Sequence, residues 1–502
     1  MSAVDRWAGL TLDRVRAANS AEARADAALS GDAEHVAETL RAAPLRPANL
    51  ALIAGALEAA AMFAALWLAL GFAAPGSSGA QAALAVAGAL GAAGALGAAG
   101  RYRLRALRRF GAGFGAAFAT FWAAGLAAAA ALGGASAAGA AAGAIGLAGL
   151  LALAPLRALT AAAARWALQA GVTERRAVVV GGGGNAEKLI AGLKSRADND
   201  IRIVGMFDDR GDDRSPPLVA GVRKLGTVAE LVAFARIARI DMLIVTLPLS
   251  AEQRILSLLK QLWVLPVDVR LSAYSADFAF PQHGTGGDGA LIDVMRQPVA
   301  GGARLLKRGF DIAVACLALV ALSPVMLATA LAIRLDTPGP VFFRQLRHGF
   351  NDQPVRVWKF RSLRHEAADP TARSIVVKGD LRVTRVGAFI RRTSIDELPQ
   401  LFNVIAGELS LVGPRPHALN AVSSRQQTFT EIVEGYSGRH KVPPGITGWA
   451  QINGWRGEID DPEKLKQRFE HDLYYIENWS FLLDLKILLL TPLRLFRTEG
   501  AY

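Results

Sequence analysis

Phe310 to Leu335 reads FDIAVACLALVALSPVMLATALAIRL. The run is apolar for about one bilayer thickness, since ~20 helical residues cross the hydrocarbon. Ser323-Pro324 falls in its middle. A proline there removes a backbone hydrogen bond and kinks the helix. Arg304, Lys307 and Arg308 precede the run; Arg334, Arg344 and Arg347 follow it. Basic residues are retained on the cytoplasmic side, so a basic flank at both ends disfavours a crossing. The expectation is a re-entrant helix over 306–335, broken at Ser323 and Pro324, that dips into one leaflet and returns. The alternative, a straight fifth span, would put the remaining chain outside the cytoplasm.

Upstream lie four apolar runs, at about 48–73, 79–100, 111–132 and 135–156. Each has the length of a spanning helix, and their many Ala and Gly residues favour close helix contact. Glu58 falls inside the first run; an ionisable group at that depth hints at function or faces a neighbouring helix. Connections 74–78 and 133–134 carry no charge, whereas 101–109 carries five arginines. Arg157 and Arg165 follow the fourth run. This bias places both ends of the bundle in the cytoplasm. Residues 1–46 are polar and charged, and read as a loosely helical cytoplasmic segment with no cleavable leader.

The whole composition agrees. Hydrophobic residues make up 52% and the net charge is +13; the pI is near 10.2 and the mean hydropathy +0.29. Such a basic surface suits anionic lipid or phosphorylated substrates. No zinc-finger, homeodomain or RNP pattern occurs, so nucleic acid is not the expected partner. The single cysteine, Cys316, excludes an intramolecular disulfide.

Between the spans and the re-entrant run, Arg176-Ala-Val-Val-Val180 reads as a buried strand. A glycine turn follows, with Gly181 and Gly183 placed as in the G-x-G-x-x-A turn that approaches a pyrophosphate. Further strands at 202–207, 242–247 and 266–271 alternate with helical stretches, which implies a parallel α/β sheet. Asp208 and Asp209 end the second strand, where a ribose-binding acid belongs. Dinucleotide binding and a Rossmann-like domain without cofactor are both open. Residues 276–300, containing FPQHGTGGDG, read as a linker or exposed loop.

Downstream, Arg391 to Pro416 reads RRTSIDELPQLFNVIAGELSLVGPRP. Asp396 and Glu397 follow Thr393-Ser394, and Pro399 is tolerated only in a first helical turn. The carboxylate pair therefore lies at a helix start beside arginines, an arrangement suited to phosphoryl chemistry and to a bridging metal. Ser394-x-x-Glu397 is equally a capping box, in which Glu397 would only bond backbone. Segment 480–496, SFLLDLKILLLTPLRLF, suits a helix lying in the membrane interface or packed in a core.

Together these motifs resemble the bacterial sugar transferases of the polyprenol-phosphate type, the monotopic phosphoglycosyl transferases. The resemblance covers about 303–502 and rests on Lys307-Arg308-x-x-Asp311, Ser323-Pro324, Trp358-Lys359-Phe360-Arg361-Ser362, Asp396-Glu397-Leu398-Pro399-Gln400, Gly413-Pro414-Arg415-Pro416 and Pro444-Gly445-Ile446-Thr447-Gly448. It implies that Asp396 is the nucleophile attacking a UDP-sugar and also the Mg²⁺ ligand, with Glu397 its partner carboxylate. It implies substrate-binding roles for Lys359, Arg361, Arg391, Gly413, Pro414, Arg415 and Asp472, and membrane re-entry at Ser323 and Pro324. Many members carry a basic residue where this chain has Pro443, so Arg439 and Lys441 become the candidates for that charge. Gln451 to Glu458, QINGWRGE, resembles the glucose- or galactose-transferring subgroup.

The expected fold is thus a four-span α-helical membrane bundle (47–160), a Rossmann-like α/β domain (172–298) and a mixed α/β membrane-associated catalytic domain with a re-entrant helix (303–502). The implied reaction moves hexose 1-phosphate from a UDP-sugar to undecaprenyl phosphate at the bacterial inner membrane, opening exopolysaccharide synthesis. Small-residue spans are compatible with a homodimer. Two other classes compete. A membrane-anchored NAD-dependent dehydratase or epimerase needs Tyr-x-x-x-Lys, and none of the six tyrosines has lysine four residues on. A nucleotide-sensing scaffold would leave the Asp396-Glu397 pair without purpose.

Overall fold

The computed structural model describes residues 28–41, 47–73, 78–102, 104–169, 174–195, 200–211, 213, 215–248, 250–272, 291–367, 380–419, 428–455, 457 and 461–495. They form two compact units, Ala43–Arg175 and the remainder. FPQHGTGGDG, and Arg456 and Glu458 of the QINGWRGE stretch, lie outside the described residues.

Part of the N-terminal segment is ordered rather than loose. Helix α1 (Gly31–Thr39) is capped by Ser30. It buries Ala33 and Ala37 completely, and Ser30 Oγ donates to the Leu225 carbonyl at 2.8 Å. Two small side chains four residues apart on one face are enough to seat a short helix on a sheet.

The long helices of the helical unit are α2 (Pro47–Ala73), α3 (Ser78–Ala98) and α4 (Phe110–Gln169). α2 and α3 match the first two apolar runs. α4 joins the third and fourth through Gly133 (φ −150°) and Gly134 (φ +72°), which leave helical geometry. The arms fold on each other as a hairpin: Trp122 Nε1 donates to the Ala142 carbonyl at 3.3 Å. A Cβ on Gly125 would lie 2.6 Å from Ile145 and 2.9 Å from Leu66, so glycine there lets the backbones close. The second arm reaches Gln169, beyond the expected end at 156. Arg157 is consequently inside a helix and buried. Its Nη2 donates to Glu58 Oε2 at 2.8 Å, and both side chains are almost fully covered. Pairing resolves the ionisable group in the first span, because an isolated charge in hydrocarbon costs several kcal/mol (~3 or more).

In the other unit a seven-stranded sheet has the order β3-β4-β2-β1-β5-β6-β7. Its strands are β1 (Arg175–Val180), β2 (Ile201–Phe207), β3 (Leu218–Val219), β4 (Val222–Gly226), β5 (Met242–Val245), β6 (Asp268–Ser272) and β7 (Leu291–Met295). The β4–β2, β1–β5 and β5–β6 pairs are parallel, and the edge strands β3 and β7 are antiparallel. β7 occupies part of the stretch expected as linker: its hydrogen bonds to β6 supply the backbone pairing that a loop would lack. Along β1, Ala177 and Val179 pack with α5 (Gly184–Lys194) on one face. Val178 and Val180 pack on the other with α6 (Val228–Ile237) and α7 (Glu252–Leu262). The alternation along a strand buried on both faces is why VVV carried no polar partner residue.

Helix α8 (Gly301–Asp336) continues unbroken through Ser323-Pro324. Pro324 has no N–H for the Val320 carbonyl; Ser323 Oγ donates to that carbonyl instead, at 2.8 Å. Leu317, Val320, Leu327, Leu331 and Leu335 stay exposed along the helix. Its N-terminal turns are polar and buried: Lys307 Nζ lies 2.6 Å from Asp484 Oδ2, and Asp311 accepts from Ser410 Oγ at 2.7 Å. β8 (Phe342–His348) and β9 (Pro354–Phe360) form a hairpin. α9 (Arg385–Arg392), α10 (Gln400–Ala406), the parallel pair β10 (Ser410–Val412) and β11 (Gly445–Thr447), α11 (Pro462–Glu477) and α12 (Phe481–Leu495) complete the unit. α12 packs against the core through Asp484 and Ile487 and leaves Leu482, Leu485, Leu489 and Leu493 exposed.

Ser323→Ala leaves the Val320 carbonyl unpaired in an apolar setting, a loss of about 1–3 kcal/mol. Lower thermal stability of the detergent-solubilised variant, with Ser323→Thr near wild type, is the expected result.

Candidate active site

The carboxylate pair sits on a tight turn. α9 ends at Arg392, Ser394 takes a left-handed conformation (φ +60°), and Ile395–Glu397 form one 3₁₀ turn before Pro399 starts α10. The Ser394 side chain does not cap this turn. Glu397 reaches away from the backbone to two cations, so the capping-box reading is overturned. Lys359 Nζ lies 3.0 Å from Glu397 Oε1, and Arg415 Nη1 donates to Oε2 at 3.1 Å, with Arg415 Nη2 on Oε1 as well.

Each cation is delivered by a different element. Lys359 comes from β9, whose pairing sets Phe343 opposite Lys359, Gln345 opposite Val357 and Arg347 opposite Val355. Opposed residues share a face, so Arg347 points to the same side as Lys359. Arg347 feels the charges of Arg415, Glu397 and Asp396, donates to the Pro416 carbonyl at 2.7 Å, and burial lowers its pKa to about 10. Arg347 was missed as a site residue; the Phe343-x-Gln345-x-Arg347 alternation opposite Val355-x-Val357-x-Lys359 was its signal. Asn403 sets the hairpin against α10. Its Oδ1 accepts from Trp358 N at 2.9 Å and its Nδ2 donates to the Arg356 carbonyl at 2.8 Å.

Arg415 stands on the Gly-Pro-Arg-Pro turn. A Cβ on Gly413 would lie 2.4 Å from the Pro443 carbonyl oxygen, so only glycine allows this approach to β11. Buried Pro414 accepts from Gly445 N at 3.0 Å. Behind the turn Arg439 donates to the Arg415 carbonyl at 2.8 Å and pairs with Asp472 at 2.6 Å. Arg439 and Asp472, expected on substrate, are fully buried struts of this turn. Lys441 also turns elsewhere: its Nζ is 4.9 Å from the ring centroid of Trp263. Arg361 donates to the Thr337 and Pro338 carbonyls, tying β9 to the end of α8 rather than facing the pair. Arg391 is half-exposed and acts electrostatically on Asp396.

The two carboxylates differ sharply. For Glu397 burial raises the pKa, but Arg415 and Lys359 outweigh it and hold the group well below the usual carboxylate range. For Asp396 burial dominates; Lys359 counteracts, the Glu397 charge adds to burial, and the pKa ends raised. Lys359 Nζ is 3.8 Å from Asp396 Oδ2, beyond hydrogen-bond reach. Asp396 is thus a buried carboxylate that its neighbours do not neutralise directly, surrounded by more cations than the pair can balance. Neighbouring carboxylates with pKa values driven apart mark divided roles.

The glycine turn of the α/β sheet is filled from within. Gly181 (φ +98°) and Gly183 (φ +79°) have the expected backbone. The Gly182 N–H, however, donates to Asp208 Oδ2 at 2.6 Å, and Arg210 Nη2 donates to the Gly182 carbonyl at 2.7 Å. The acid expected on a ribose therefore sits where a phosphate would bind.

Gly413→Ala is expected to push β10 from β11 and misplace Arg415; faster proteolysis of the 413–445 region would report it.

Residues 302–498 match the family described as bacterial sugar transferase, and residues 98–273 match one described as a CoA-binding domain. A UDP-glucose:undecaprenyl-phosphate glucose-1-phosphate transferase of Escherichia coli is 37% identical over 68% of this chain and 71% of its own length. An undecaprenyl-phosphate glucose phosphotransferase of Komagataeibacter xylinus is 41% identical over 65% of this chain, which spans 60% of that relative. A UDP-N-acetylgalactosamine-undecaprenyl-phosphate N-acetylgalactosaminephosphotransferase of Aeromonas hydrophila is 45% identical over 39% of this chain and 45% of its own length. With the motif residues gathered around one carboxylate pair and a relative matched over more than two thirds of its length, the chain belongs to the bacterial sugar transferase family.

Proposed function

We propose that the protein transfers hexose 1-phosphate from a UDP-sugar to undecaprenyl phosphate, releasing UMP. The observation that carries this is the split pair: Glu397 clamped by Lys359 and Arg415, beside a buried Asp396 that Lys359 approaches only to 3.8 Å. A carboxylate oxygen of Asp396 attacks the β-phosphorus, forming an Asp–O–P bond while the bond to the UMP oxygen breaks. An oxygen of undecaprenyl phosphate then attacks the same phosphorus and returns Asp396 as a free carboxylate. Two phosphate exchanges replace one difficult step, and no redox partner is needed. Lys359, Arg391, Arg347 and Arg415 supply the positive field that gathers the donor diphosphate.

A hard divalent cation fits this donor set, since Asp396 is the carboxylate left open while both Glu397 oxygens are engaged. Mg²⁺ bound there would neutralise diphosphate charge. UDP-glucose is the donor favoured by the names of the longer-matching relatives, with UDP-galactose the remaining hexose from the QINGWRGE resemblance.

Re-entry of α8 is supported by its contacts. Lys307 near one end bonds the Val412 carbonyl, and Asp336 at the other accepts from Val386 N. A helix whose two ends dock on the same fold does not place them on opposite sides of a bilayer. The catalytic half then lies with the basic flanks in the bacterial cytoplasm, where UDP-sugars are. The strand order, with its switch between β1 and β5, supports a Rossmann-like domain. We read that domain as cofactor-free while Asp208 and Arg210 fill its glycine turn. Homodimerisation through the small-residue spans belongs to the same proposal.

The deciding measurement is UMP release by the detergent-solubilised protein with Mg²⁺ and single UDP-hexoses, with and without undecaprenyl phosphate. Asp396→Asn should lose at least ~10³-fold in turnover while remaining folded; unchanged turnover would refute the nucleophile. A second test uses pH. Asp396 must be ionised to attack, and its raised pKa makes activity fall on acidification above the usual carboxylate range. Lys359 favours the ionised form, so Lys359→Met should move the acid limb of kcat/KM to higher pH. A limb that stays in place would contradict this electrostatic role.

A further inference from the structure

Trp263, at the end of α7, is buried against the catalytic half of the chain. Its ring lies across two glycines. A Cβ on Gly435 would lie 2.4 Å from Trp263 Cζ2, and one on Gly438 2.4 Å from Trp263 Cη2. Gly435 (φ +71°) opens a 3₁₀ turn, Tyr436–Lys441. Lys441 Nζ stands over the same ring, and Lys260 Nζ of α7 lies 2.7 Å from Glu434 Oε1. Segment 434–441 therefore rests on the C-terminal end of α7.

The end of α6 makes a second attachment. Asn351 and Asp352, after β8, are both left-handed (φ +54° and +62°); residues with a side chain keep that conformation only where their surroundings hold it. Asn351 Nδ2 donates to the Ala235 carbonyl at 2.9 Å, and Gln353 Nε2 to the Arg236 carbonyl at 2.8 Å. Both carbonyls belong to the last turn of α6, where no helical partner follows. Arg236 Nη2 lies 2.7 Å from Asp352 Oδ2, and Asp352 Oδ1 lies 2.9 Å from His440 Nδ1. Both helices thus bear on turn 436–441. That turn carries Arg439, which donates to the Arg415 carbonyl at 2.8 Å, and its Tyr436 hydroxyl meets His417 Nδ1. Direct contacts run from Trp263 through the turn to Arg415, and from there to Glu397.

Resting on the transferase reading, we propose that the α/β sheet region takes part in the reaction through Trp263. Trp263 is a positioning residue: by seating turn 436–441 it sets Arg439, and through Arg439 it sets Arg415 at the donor diphosphate. The seat is a matched pair, a wide ring on one side and glycine on the other. Trimming the outer edge of the ring lets the turn drop toward α7. Adding a methyl group at Gly438 lifts it. Either displacement moves the backbone that Arg439 grips. Arg415 belongs to the cations that gather the donor, so the effect falls on the UDP-hexose.

The test uses the full-length protein in detergent and reads UMP release together with amide hydrogen exchange. Trp263→Phe and Gly438→Ala should each raise the KM for the UDP-hexose about tenfold, as for one weakened charged contact, with the KM for undecaprenyl phosphate unchanged. The three atoms nearest a Cβ on Gly438 all belong to the Trp263 ring. The double variant Trp263→Phe with Gly438→Ala should therefore return toward the original KM, the added methyl filling what the smaller ring vacates. Exchange within 434–441 should rise in each single variant and fall back in the double one. Leu189→Ala weakens the same sheet from its other face, where Leu189 is buried, and should leave both KM values in place. Unchanged donor KM in both single variants, or a double variant as impaired as the two defects combined, overturns the proposal. An equal rise in donor KM in Leu189→Ala also overturns it, since the effect would then be one of stability. Absence of UMP release from the unchanged protein instead overturns the transferase reading. The exchange data still judge the seat in that case, and unaltered exchange in both single variants refutes it.

Discussion

Glu397 is held by Lys359 and Arg415 in one clamp, and the catalytic half is built around making that clamp possible. Burying three charges is costly, and their attraction compensates only when geometry is good and remaining valences are satisfied. The clamp joins β9, the 3₁₀ turn after α9, and the Gly-Pro-Arg-Pro turn. By taking the hydrogen bonds of both cations, Glu397 leaves Asp396 buried with Lys359 no nearer than 3.8 Å.

The clamp would fail without its backing. Asn403 acts as a substitute strand neighbour, taking one donor and one acceptor from β9 and so fixing the level of Lys359. Arg439 grips the Arg415 carbonyl and is itself neutralised by Asp472. Lys307, Asp484, Tyr475 and the Val412 carbonyl form a buried network under β10, which carries the turn. Charges in these layers are met by opposite charges or carbonyls, as buried networks require to be worth keeping.

The same economy governs the apolar parts. In the bundle, Glu58 is matched by Arg157 from a distant span. In α8, the carbonyl orphaned by Pro324 is taken by the preceding serine. The α/β sheet fills its own glycine turn with Asp208 and Arg210. In these three places the chain supplies the missing partner from within.

Four spans' worth of helix, an alternating α/β segment and the carboxylate pair were legible because each depends on local pattern: apolar length, strand periodicity, and residues adjacent in sequence. The end of the fourth run was less legible, since α4 continues past Arg157 to Gln169 and Arg157 is held by Glu58, 99 residues away. Arg347, Asn403 and the inward roles of Arg439, Asp472 and Lys441 depended on register and on contacts between distant segments. No local pattern distinguishes an arginine that faces a substrate from one that props a turn. The sequence by itself determined that two carboxylates are adjacent and that basic motifs accompany them, because both are local patterns. Only the tertiary structure decided which of two adjacent carboxylates is clamped by two cations and which is not, because that depends on where cations 38 residues before and 18 residues after Glu397 are brought to rest.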